Sequence, residues 1–92
     1  MKRGVEIYLS EGEDIEKLKK IVIEVFGKNC PHVNKIEFVV EKSEDKNVLI
    51  PFLPCEGCEK EEEHSDENYN ILFVKPLAEK IGSDKIGALL WK

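Results

Sequence analysis

The chain has no glutamine and no threonine, one arginine (Arg3), one tryptophan (Trp91) and three cysteines in 92 residues. Three thiols cannot all pair within one chain, so a disulfide framework is not the basis of the fold. No apolar run approaches the roughly 18 residues that a membrane-spanning helix needs. The start, Met1-Lys2-Arg3-Gly4-Val5-Glu6, has a basic beginning, but Glu6 and Glu11 interrupt any apolar signal core. These absences read as a cytoplasmic chain with no membrane partner. There thiols stay reduced, and a close thiol pair serves metal binding or catalysis rather than a structural bridge. A formal net charge of −5 gives no reason to expect a nucleic-acid partner. No hydrolase elbow, phosphate-binding glycine loop or metalloprotease pair is present, so nothing argues for an enzyme.

What is there suffices for one small domain over 1–92. Apolar residues make up 41% of the chain, too many for a disordered one. At this length a fold buries roughly 60–65% of the surface its unfolded chain exposes, so a metal would add noticeably to thin margins. Abundant Lys and Glu with no Gln suit a thermophile, although five Asn residues and the Lys, Ile and Asn usage of an AT-rich genome pull the other way.

The acidity is local. Residues 56–67 hold seven acids and one base, a balance of −6, while the other positions hold twelve acids and thirteen bases. Like charges this dense repel, and no apolar residue stands between Cys58 and Tyr69. The expectation is a mobile acidic loop at about 56–68, suited to a basic protein surface as partner.

Val5, Ile7 and Leu9 alternate with polar neighbours and predict a half-buried strand. Ser10 and Glu13 have capping-box spacing ahead of a helix reaching Phe26, whose Ile15, Leu18, Val22, Val25 and Phe26 share a face. Glu13–Lys17 and Glu16–Lys20 are spaced to pair along it. Gly27 is its expected stop. Ile36 to Glu41 and Val48 to Leu53 predict an antiparallel hairpin, with Pro51 pointing to an edge or bulged strand. Asn70 to Lys75 predicts a further strand. Pro76 fits the first turn of a helix over Leu77 to Ile81, stopped by Gly82. Ser83 then caps a short helix with Ile86, Leu89 and Leu90 on its apolar side, and Trp91 packs on the domain. The expected fold is α+β in the order β-α-β-β-β-α, a mostly antiparallel or mixed sheet with helices packed on one face.

Chemistry concentrates in Cys55-Glu56-Gly57-Cys58. A CxxC turn brings two thiolates to one metal ion, and a tetrahedral zinc site needs two further ligands. His64 is within local reach, and Cys30 or His32 completes the set if both loops open at the same end of the sheet. Each has a plainer reading: Cys30 as a small buried apolar side chain, His32 as a surface residue, and His64 as an imidazole whose charged form the glutamates favour. A thiol-disulfide site at Cys55 and Cys58 is the alternative. Against it stand the polar residues after Cys58, which offer no face to dock a helix, and the carboxylates, which disfavour a thiolate. A third reading uses the acids alone, as a weak calcium-type site or an interaction surface without thiol chemistry, although the spaced pattern of a calcium-binding loop is missing.

Overall fold

The computed structural model describes residues 2–30, 33–42, 45–53 and 66–91. Its strands are β1 (Arg3–Tyr8), β2 (Glu37–Lys42), β3 (Asn47–Leu53) and β4 (Ile86–Trp91). Its helices are α1 (Ile15–Phe26), then α2 (Asp66–Tyr69) and α3 (Lys75–Ile81) joined by a π-helical stretch over Asn70–Val74. The observed order is therefore β-α-β-β-α-β, counting 66–81 as one helical run. The sheet order is β2-β3-β1-β4, with every neighbouring pair antiparallel. This is the connectivity of the split β-α-β, or ferredoxin-like, arrangement. The α+β class and the β2–β3 hairpin stand as expected; the order does not.

Two segments account for the difference. Residues 70–75 form helix rather than strand. Tyr69, Phe73 and Leu77 are buried and Ile81 packs against the same core, so four residues at a spacing of four line one helical face. Residues 86–91 form strand rather than helix, because β1 has a free edge that they fill. With β4 on one side and β3 on the other, β1 is central, and Arg3 through Ile7 are all buried rather than half-buried in alternation.

Pro51 also sits differently from expectation. It lies in an interior strand, opposite Phe38 of β2, and is among the fully buried residues. The β1–β3 register passes it without a shift, with Arg3–Leu53 and Gly4–Phe52 on one side and Ile7–Leu49 and Tyr8–Val48 on the other. A proline is tolerated inside a sheet where its missing N–H falls at a gap in the ladder.

Helix α1 keeps its expected end at Phe26, but Asp14 caps it rather than Ser10, with its carboxylate accepting from the Lys17 N–H at 3.2 Å. Glu16 meets Lys19, and Glu13 meets Lys85 from across the fold, in place of the expected partners four residues on. Gly27 stays in right-handed geometry, whereas Gly82 ends α3 at φ +102°, as its position predicts. Pro76 lies inside the 66–81 run and has no N–H for the Leu72 carbonyl four residues back. The side-chain amide of Asn29 donates to that carbonyl at 3.1 Å. Upstream the helix widens, and the Lys75 N–H reaches Asn70, five residues back.

Both helical segments cover one face of the sheet. Val5, Ile7, Leu49 and Leu53 share a core with Leu18, Val22, Val25 and Phe26 of α1, and with Tyr69, Phe73 and Leu77. Phe26 meets Tyr69 and Phe73 edge-on, at centroid separations of 6.5 and 5.2 Å. The opposite face carries a smaller cluster of Val48, Ile50 and Phe52, packed by Val39 and Leu90. Trp91 is half exposed rather than packed in the core.

Gly4 explains how Phe52 is buried there. A Cβ at Gly4 would stand 2.7 and 2.8 Å from two Phe52 ring carbons, so the ring lies across the glycine. Gly4→Ala is expected to destabilise by about 1–3 kcal/mol through overpacking, read as a lower urea midpoint at unchanged m-value. An unchanged midpoint would contradict this packing.

Candidate functional site

The β1–β3 and β1–β4 registers put Arg3, Leu53 and Trp91 side by side at one end of the sheet. Arg3, the chain's only arginine, is 4% exposed, and its guanidinium carbon lies 3.7 Å from the Trp91 ring centroid and 5.7 Å from that of Tyr69. This double aromatic contact, a cation–π arrangement, fixes the start of the 66–81 run over the start of β1. Helix α1 runs back to the same end, where Phe26 meets Tyr69. Strand β2 begins there too, with Glu37 opposite Phe52 and accepting from the Lys2 ammonium at 3.2 Å. The described residues that flank 54–65, Leu53 and Asp66, thus belong to the same end of the sheet as the turn that leads from α1 to Cys30.

Of the five residues expected to ligate metal, the structure describes only Cys30. It is 2% exposed and belongs to the main core, as its plainer reading predicts. Cys55, Cys58, His64 and His32 lie outside the described residues, as does the acidic segment up to Ser65. From Asp66 onward that segment is helical rather than loop. Among the described residues no three His, Cys, Asp or Glu side chains gather as a metal group, and no helix is long and apolar enough to cross a membrane.

A second charged feature was not expected. Glu6, read from the sequence as a solvent-facing strand residue, is 4% exposed on the face without helices. Two steps of β1 from Val5 to Ile7 match three steps of β4 from Leu89 to Ile86, so β4 carries one extra residue. Glu6 serves this bulge: one carboxylate oxygen accepts from the Ala88 N–H at 3.1 Å, and the other accepts from Lys46 at 2.6 Å. The Lys46 hydrogen bond holds the Glu6 carboxyl below its ordinary range against the opposing effect of burial, and Glu6 in turn raises Lys46. Burial of Glu6 comes from the strand β4 and from Lys46, both distant in sequence, and no local pattern encodes that.

A cleft of about 250 Å³ lies between the start of α1 and the end of α3, lined by Glu13, Asp14, Lys17, Leu18, Ile21, Ile81 and Lys85. It falls short of the roughly 300–1,000 Å³ of small-molecule sites, and its two best-placed charges, Glu13 and Lys85, already satisfy each other.

Compared with protein-family models, with curated proteins and with solved structures, the chain matches none.

Because the Glu6 pKa is lowered on folding, its stabilising contribution is present above the unfolded value of about 4.3 and is lost as pH falls through the folded value. Urea denaturation is expected to show stability declining below about pH 4.3. Glu6→Gln should flatten that decline and cost about 1–3 kcal/mol near neutral pH. An unchanged pH profile in the variant would show that Glu6 is not the titrating group.

Proposed function

We propose that this protein is a small binding module in which Cys55 and Cys58 hold a structural zinc ion with His64 and one residue of the Cys30/His32 loop. The metal shapes the root of the acidic segment, which is presented to a basic protein surface. The supporting observation is topological. The residues leading into both cysteine-bearing segments share one end of the sheet, so ligands distant in sequence start from neighbouring positions. We take His32 as the fourth ligand, because Cys30 belongs to the main core. The surrounding carboxylates suit this chemistry, since negative charge stabilises a bound dication while disfavouring a reactive thiolate. Zinc must displace the proton that the glutamates favour on His64, so affinity falls in acid.

Native mass spectrometry of protein purified without chelator is expected to show one zinc per chain, lost in Cys55→Ser and in Cys58→Ser and retained in Cys30→Ala. At a roughly hundredfold excess of zinc over its Kd, binding stabilises by about 2.7 kcal/mol. That corresponds to roughly 10–20 °C in the unfolding midpoint at this chain length, and a chelator removes it. An apo mass, with a midpoint insensitive to zinc and to chelator, would end the metal reading.

A further inference from the structure

The two edges of the sheet are built differently. Edge strand β2 carries Glu37, Glu41 and Lys42, whereas edge strand β4 reads Ile86-Gly87-Ala88-Leu89-Leu90-Trp91, with no charge and no proline. Charges and prolines are the usual means of keeping an edge from pairing with another chain. Among the described residues the bulge is the only such device on β4, and it lies ahead of Leu89, which leaves Leu89–Trp91 paired with β1 in regular register. At the end of this stretch Trp91 is 51% exposed, among the most exposed large apolar residues described.

We propose that β4 pairs antiparallel with β4 of a second copy of this chain, extending the four-stranded sheet across a two-fold axis. A two-fold perpendicular to the sheet keeps both helical layers on the same side. Opposed residues must then come from the same face, so their numbers sum to an even value. With Leu90 on the axis, Leu89 opposes Trp91 of the second copy, and Trp91 opposes its Leu89, both on the helical side. Leu90 opposes itself on the other side. Two aromatic–aliphatic pairs and one aliphatic pair result, of the kind worth about 0.2–1 kcal/mol each. No like charges meet. The same operation on β2 centred on Val39 sets Glu37 against Glu41, a like-charge pair. Of the two edges, β4 is the one whose strand carries no charge to oppose a copy of itself. Each copy carries a net −5, a repulsion that salt screens over about 10 Å at 0.1 M, so added salt tightens this dimer. The pairing is argued from β4 alone and does not rest on the zinc reading.

Light scattering coupled to size exclusion is expected to give twice the 10.6 kDa chain mass, shifting further toward dimer with salt. Ala88→Lys places a charge on this edge at an exposed side chain and is expected to return the chain mass with an unchanged circular dichroism spectrum. Val40→Lys, at an exposed position on the β2 edge, should leave the dimer intact. A wild-type protein at chain mass throughout overturns the proposal, whether or not β4 accepts a foreign extended peptide. So do a dimer that survives Ala88→Lys, one lost in Val40→Lys, and species larger than two, since a closed two-fold uses up both β4 edges. If Ala88→Lys fails to fold, hydrogen exchange of wild-type residues 86–91 decides: slower exchange at high protein concentration supports pairing, and concentration-independent exchange overturns it.

Discussion

Burial of the helix-facing side of β1 is the constraint on which the rest of this structure depends. Val5 and Ile7 share one core with Phe26 from α1 and with Tyr69, Phe73 and Leu77 from the 66–81 run. Each fully buried large side chain contributes roughly 1.5–3 kcal/mol, and among the described residues the second cluster is much the smaller. For both helical segments to reach β1 from the same side, the hairpin β2–β3 must lie on one flank of β1 and the chain after 66–81 must return on the other. β4 is that return. Its strand character follows from where the helix delivers it.

A central β1 then creates a problem that Glu6 solves. The bulge in β4 turns the Ala88 N–H toward β1, and a buried amide without an acceptor is costly. The Glu6 carboxylate supplies the acceptor, and Lys46, from the chain just before β3, supplies the counter-charge. Glu6 is the buried member of this pair and Lys46 the half-exposed one, so removing Lys46 would leave a buried carboxylate without its counter-charge. Glu6 is thus explained by architecture rather than by catalysis. Asn29 acts in the same way for the carbonyl that Pro76 leaves unpaired. Both are polar side chains placed where a backbone irregularity needs one partner.

How much of this was legible in the sequence differs by element. Helix α1 was, because its apolar positions recur at helical spacing over three turns. The hairpin was, because two β-rich runs flank a polar turn. The run Asn70-Ile71-Leu72-Phe73-Val74 read as a strand because a short apolar stretch suits either structure. The spacing of Tyr69, Phe73, Leu77 and Ile81 was the signal for helix, and it becomes visible only in a window that crosses Pro76. Residues 86–91 match helical spacing at Ile86, Leu89 and Leu90, yet tertiary pairing with β1 overrides it. Pro51 was read by a rule for edges that an interior gap in the ladder also satisfies. Of the candidate site, the topology brings together the approaches to both cysteine-bearing segments, and the sequence could state that only as a condition. The structure also places Cys30 in the main core, which spacing alone does not state.

The proposed zinc ligands Cys55 and Cys58 follow the end of β3, where Leu53 stands beside Arg3. The most direct measurement is X-ray absorption at the zinc edge of the zinc-loaded full chain. The account predicts two sulfur ligands at about 2.3 Å and two nitrogen ligands at about 2.0–2.1 Å, a tetrahedral set of thiolates and imidazoles. A first shell of oxygen alone, with no sulfur at that distance, would place the metal on the carboxylates and contradict the account.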